Sequence, residues 1–217
     1  MQLSENKTDV RNKASEATRE ALLASGTELF AELGFDGATV DHIARQARAN
    51  KAMINYHFGG KQGLYEAILT ATFAPSRERF DSLRESTQPA DARLAGFVEI
   101  FVEMATRRPA FPAMILREAL SGGRHISGRT LPYFISIFAL VREIVEQGMR
   151  EGIFRPVDPF CTHLGLIGSL VFFFSTAGFR DRLVAEGKLP LKPPDPQAYV
   201  RHILELMKRG LAAEGGL

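Results

Sequence analysis

The chain has 217 residues, 45% hydrophobic and 24% charged, an ordinary globular composition with room for one or two compact units and a sizeable core, which excludes a disordered chain. Its net charge of +2 is too weak to announce a polyanionic partner in bulk: residues 1–61 carry eight Lys or Arg against eight Asp or Glu, so only local clustering is informative. The single cysteine, Cys161, excludes an internal disulfide and fits a reducing cytoplasm, the expected location.

The N-terminal stretch MQLSENKTDVRNK has charges but no apolar run, so it reads as neither signal peptide nor anchor, and residues 1–14 are expected to form a flexible arm. A first helix is expected from near Ser15 to Leu33, with Ala21, Leu22, Leu29, Phe30 and Leu33 as its apolar stripe and Gly34 as its stop. Thr39 to Lys61 then reads as two short helices joined by a tight turn. Thr39 supplies an N-cap hydroxyl, Asp41 a first-turn carboxylate, and Ile43, Ala44 and Ala47 fall on one face. Asn50 is the N-cap candidate of the second helix. In it Ile54 and Phe58 face inward, Lys51, Ala52, Asn55 and Tyr56 lie on other faces, and Gly59-Gly60 ends it. From His42 to Tyr65 there are four basic residues, Arg45, Arg48, Lys51 and Lys61, and no Asp or Glu, so nothing there repels a phosphate backbone. An ordinary helical hairpin with a solvated basic face satisfies the same pattern.

The helix from Gln62, with Leu64, Ile68 and Phe73 inward, is expected to anchor this small head. Pro75 imposes a kink or break near Phe73-Ala74, after which Ser76 to Ser86 continues as an amphipathic piece. Helices follow at Ala92 to Arg107, Pro109 to Leu120 and Thr130 to Glu151. Asp158-Pro159 and Asp195-Pro196 each place a capping carboxylate before a proline at the first helical position. Four prolines, at 190, 193, 194 and 196, make a stiff loop ahead of the last helix. Pro159 to Phe179 has no Lys, Arg, Asp or Glu and touches the length of a membrane span. Its Thr162, His163, Ser169, Ser175, Thr176 and three glycines favour a buried helix, and no membrane partner is expected. The sum is an all-α fold of about nine helices.

The run Tyr56-His57-Phe58, three residues before Lys61, following Ile43-Ala44 and preceded by Gly34-Phe35 and Thr39, resembles the DNA-binding signature of the TetR family of bacterial transcriptional regulators. The resemblance is dense from about Ala17 to Leu69 and architectural beyond. It implies a helix-turn-helix head over residues 15–61 and an effector-binding and dimerisation domain over 62–217. It also implies a homodimeric repressor that reads a pseudo-palindromic operator in double-stranded DNA and is released by a small, largely apolar ligand. The DNA-contacting set it implies is Thr39, Arg48, Asn50, Lys51, Ala52, Asn55, Tyr56, His57 and Lys61. Thr39, Tyr56, His57 and Lys61 match positions that hold phosphates, and Lys51, Ala52 and Asn55 match base-reading ones. Two departures stand out: Arg48 replaces a usual turn glycine, and Asn55 a usual aromatic. Either the turn is built differently, or Arg48 accepts a backbone cost and adds a DNA contact.

By the same resemblance, some of Phe101, Met104, Phe111, Met114, Arg117, Phe134, Phe138, His163 and Phe173 are expected to line an effector pocket, plain core packing being the competing reading of the apolar ones. Pro159 to Phe179 and the C-terminal helix are the expected self-pairing surface, because Gly165, Gly168 and Ser169 permit close helix approach and Phe172 to Phe174 carry surplus apolar surface. Core on one side and pocket on the other is the alternative there. Cys161 and His163 stand two apart with no further cysteine, and no Walker or GxSxG loop occurs, so no metal, cofactor or catalytic residue is expected. The competing class is a small-molecule-binding or enzymatic helical protein whose DNA-binding head no longer works.

Overall fold

The computed structural model describes residues 2–189 and 192–213, with side chains from residue 12 onward. Pro190 of the proline loop lies outside the described residues. Eleven α-helices follow one another: α1 (Gln2–Gly37), α2 (Val40–Gln46), α3 (Ala52–Phe58), α4 (Lys61–Phe73), α5 (Arg77–Glu85), α6 (Ala90–Arg107), α7 (Ala110–Leu120), α8 (Leu131–Arg150), α9 (Pro159–Ser175), α10 (Ala177–Ala185) and α11 (Pro196–Leu211). Among the described residues the β-type pairing is limited to one isolated bridge, Phe154 to Ala212. The all-α expectation holds.

Two boundaries differ from the sequence reading. The first helix starts at Gln2 and not near Ser15, because no Pro or Gly interrupts residues 2–14 and a helix once nucleated propagates. The uncharged stretch expected as one helix from Pro159 to Phe179 is two: α9 closes at Ser175, the chain bends by 47° at Thr176, and Phe179 lies on α10. The Phe172 carbonyl accepts both the Thr176 N–H at 3.1 Å and the Thr176 hydroxyl at 2.7 Å, at the last turn of α9. Among the described residues no single helix is long and apolar enough to cross a membrane. Elsewhere the capping signals act as expected. Asp158 and Asp195 accept from the backbone N–H three residues on, both at 2.7 Å. Pro75 sits in a 3₁₀ turn, Ala74–Ser76, that separates α4 from α5.

The apolar side chains form two cores. In the head, Leu22, Leu29 and Phe30 of α1 pack on Ile43 and Ala44 of α2, Ile54 of α3 and Leu64, Tyr65, Ile68 and Leu69 of α4. Met114 of α7 reaches into this core from the other side. The body core runs from Phe73 through Leu94, Phe97 and Phe101 of α6, Leu140, Val141, Ile144 and Val145 of α8, to Leu166 and Leu170 of α9. Thus α4 gives its first turns to the head and its last residue, Phe73, to the body. Its Gly63 is required by packing, since a Cβ there would stand 1.8 Å from the Phe58 carbonyl oxygen.

Candidate nucleic-acid interface

Each helix of the α2–α3 pair is started by a side-chain cap. Thr39 has extended backbone and its Oγ1 accepts from the His42 N–H at 3.1 Å. Asn50 Oδ1 accepts from the Ala52 N–H at 2.9 Å, so it caps α3 as its sequence position suggests. Between them the chain turns through Arg48, whose φ of 53° is the left-handed conformation that a glycine would adopt without cost. The Ala49 N–H reaches the Ala44 carbonyl at 2.9 Å and the Arg48 N–H the Arg45 carbonyl at 3.1 Å, closing the end of α2. The turn is therefore built as the glycine form is, with an arginine bearing the strain.

Burial of Ile43, Ala44 and Ile54 fixes which face of the pair is left to solvent. Thr39, Arg48, Asn50, Lys51, Ala52, Asn55 and Tyr56 are all exposed, and Tyr56 keeps 74% of its surface, so its ring is not part of the head core. Arg45 is exposed at the last turn of α2 and joins this surface; it was visible in the sequence as one of four clustered basic residues but not as a site residue. Two expected contact residues also make contacts within the fold. His57 has its Nε2 buried without a partner among the described residues, and its ring meets Tyr56 edge-on at 4.9 Å, so it supports the tyrosine and does not offer that nitrogen to solvent. Lys61 places Nζ 4.4 Å from the centroid of Phe35, where partial burial lowers its pKa and the Asp36 carboxylate opposes the shift.

The surface is not free of acid. Asp41, one residue outside the carboxylate-free run, stands 3.1 Å from Lys51, with both side chains mostly exposed. A pair of this kind is worth about 0–1 kcal/mol, so a phosphate or a guanine edge displaces it cheaply.

The head is joined to the body through α7. Arg117 donates from Nε to the Ala31 carbonyl at 2.7 Å and from Nη2 to the Glu32 carbonyl, satisfying the end of the regular part of α1, just before Gly34 leaves helical geometry at φ 74°. Next to it Glu118, 3% exposed, accepts from the His125 N–H at 2.7 Å, lies 3.1 Å from His125 Nδ1 and accepts from the Tyr65 hydroxyl at 3.2 Å. Burial and the adjacent carboxylate raise the Tyr65 pKa and keep that hydroxyl protonated. His125 stacks on Phe35 at 4.1 Å, and Phe35 lies under Lys61, so one chain of contacts runs from α7 to the first residue of α4.

The nine residues expected around an effector scatter. Phe101, Met104 and Phe111 are buried in the body core, with Phe134 packed on it. Met114 belongs to the head core and Arg117 to the clamp on α1, both beside a cleft of about 210 Å³ between head and body. Phe138 and His163 face each other at 5.2 Å, with His163 Nδ1 buried and unpartnered among the described residues. Phe173 stacks on Tyr199 at 3.8 Å and borders an open groove of about 500 Å³ beside Pro193 to Pro196. A separate cavity of about 340 Å³ lies between the α4–α5 break and α8 and contains none of the nine. Its lining residues, Phe73, Phe80 and Tyr133 with Arg77, Arg84 and Arg129, are spread over three helices and a loop, and no single helical period brings them together.

Residues 22–68 match the family described as bacterial regulatory proteins, tetR family, and residues 90–188 match the tetracyclin repressor-like C-terminal domain. The chain is similar to the HTH-type transcriptional repressor NicS of Pseudomonas putida, 28% identical over 94% of this chain and 97% of NicS. It is also similar to the HTH-type transcriptional regulator RutR of Escherichia coli, 22% identical over 70% of this chain and 71% of RutR. The fold is shared with the ketosteroid transcriptional regulator KstR2 of Mycobacterium tuberculosis, with a TM-score of 0.69 at 21% identity over 90% of this chain and 95% of that one. With two matched segments that fall on the α1–α4 head and on the α6–α10 body, the chain belongs to the TetR family and is a DNA-binding transcriptional regulator.

Proposed function

We propose that the chain is a homodimeric cytoplasmic repressor without enzymatic activity, whose two heads read a pseudo-palindromic operator and which is released by a small ligand held in the body. The observation that carries this reading is the α3 surface, where Lys51, Ala52, Asn55 and Tyr56 are exposed together and the apolar residues of the same helix are spent on the core. Lys51 suits guanine O6 and N7, and Asn55 suits adenine N6 and N7 in a bidentate bond. Tyr56, Thr39 and Arg48 suit phosphates that set the register.

Dimerisation is supported by a second exposed surface. Phe160, Leu164 and Phe172 recur along α9 with Gly165 and Gly168 between them, all exposed, and Phe179 of α10 and Leu206 of α11 add to this apolar face. Such a stripe, left unpaired by the body core, suits a second copy of the same helix across a two-fold axis. Two heads so related meet successive major grooves.

The test is selection of duplexes from a randomised pool, followed by titration of the winner at several salt concentrations. A two-fold symmetric site and a steep salt slope are expected. Tyr56→Phe and Lys61→Ala should weaken binding to all duplexes alike, and Lys61→Ala should also reduce the slope by about one. Folded protein that enriches no sequence refutes the reading.

A further inference from the structure

The cavity between the α4–α5 break and α8 has a lining unlike the rest of the body. Its floor is aromatic: Phe73 and Tyr133 stack with centroids 5.3 Å apart and planes 6° apart, and Phe80 lies beside them. Around the rim stand three guanidiniums, of Arg77, Arg84 and Arg129, against the single carboxylate of Asp81.

Each guanidinium meets an acid, and the distances separate the firm pair from the loose ones. Arg84 donates from Nε to Glu143 at 3.2 Å and from Nη2 to the Ser136 carbonyl at 2.9 Å, which fixes the side chain and leaves Nη1. Arg77 to Asp81 and Arg129 to Glu66 are both 3.7 Å, beyond hydrogen-bond length, and these two arginines are 70% and 84% exposed. Asp81 is exposed like its arginine, whereas Glu66 is only 12% exposed and also accepts from Gln62, so in both pairs it is the exposed arginine that can turn to a better partner. A carboxylate is that partner, because its two oxygens match the guanidinium fork, and a flat ring attached to it would lie on the aromatic floor. At about 340 Å³ the cavity falls at the small end of ligand sites.

We propose that this cavity binds an aromatic carboxylate of one or two rings, the ring on Phe73, Phe80 and Tyr133 and the carboxylate held by Arg77, Arg84 and Arg129. The regulatory meaning rests on the function proposed above. An anion that draws Arg129 from Glu66 removes a tie to α4, the helix that begins at Lys61, and one that draws Arg77 acts directly after the Ala74–Ser76 turn. Ligand and operator would then oppose each other with equal coupling in both directions.

Calorimetric titration of the full chain with benzoate, phenylacetate and 1-naphthoate, each beside its neutral primary amide, tests the chemistry. At least one acid should bind, and its amide about tenfold or more weaker. Arg77→Gln and Arg129→Gln, both at exposed positions, should each weaken that acid about tenfold, and Ser136→Phe, which fills the cavity, should abolish binding. Thermal melts establish that these variants fold, and a failed Ser136→Phe leaves the two arginine variants to decide. An amide that binds as well as its acid, arginine variants that bind unchanged, or folded wild type that takes none of the three acids overturns the proposal. The same acids are then added to protein on its selected duplex. Binding in the cavity without any change in DNA affinity leaves the ligand class standing and sinks its effector role, whereas failure to select any duplex sinks the repressor reading and leaves the calorimetry intact.

Discussion

Arg48 shows what one side chain can cost and return. A non-glycine residue in the left-handed region costs about 1 kcal/mol or more, and the turn has not been rebuilt to avoid it. Arg48→Gly should therefore raise the unfolding free energy by about 1 kcal/mol in denaturant titration while weakening DNA binding and lowering its salt slope. Higher stability with an unchanged slope would leave the arginine without a DNA role. His163 offers a second test at this scale. Burial lowers its pKa below the ordinary 6.5, so the folded protein holds the ring neutral while the unfolded chain takes up a proton first. Stability is then fully present above pH 6.5 and falls as the pH drops below it. His163→Phe, which keeps a ring against Phe138, should flatten the fall in melting temperature over that acid range.

At the scale of elements, the α4–α5 break is the part best placed to transmit a signal, since α4 begins beside Phe35 and ends on the aromatic floor of the cavity. Pro75→Ala restores an N–H to the 3₁₀ turn and favours a continuous helix. It should change the ligand concentration needed for release from DNA more than it changes DNA affinity without ligand; equal loss of both in a gel-shift titration would end the idea that this break transmits the signal. This element was legible in advance, as were the caps at Thr39, Asn50, Asp158 and Asp195, because a proline or a capping oxygen acts within one turn of chain. The cavity was not. Phe111 and Phe134 both pack around Phe73, at 5.1 and 5.4 Å, and a helical stripe says only that a face is buried, not whether an opposing face meets it. Nor was the Asp41 to Lys51 pair, which joins residues on two helices. The break at Thr176 has no proline to mark it, and the hydroxyl bond that Thr176 makes to Phe172 is also made by Thr162 to Asp158 where α9 runs on intact.

For the whole molecule, the proposed dimer rests on the exposed surface along α9. Phe172 is 63% exposed and so is open to a copy of itself. Phe172→Asp puts like charges face to face across a two-fold axis. Sedimentation should find a folded monomer, and affinity for a two-fold site should fall by about a hundredfold or more, since two linked heads bind far more tightly than one. An intact dimer would place the self-association surface elsewhere.

The reach of α7 into the head also bears on how such proteins can be recombined. A chimera that joined residues 1–73 to the body of a distant relative would carry away a head lacking Met114 in its core, Arg117 on the end of α1 and Glu118 under Tyr65. One that also carried residues 110–125 would keep all three. The unit of exchange that keeps the head's packing is therefore discontinuous in sequence, with one part in a helix some forty residues beyond α4.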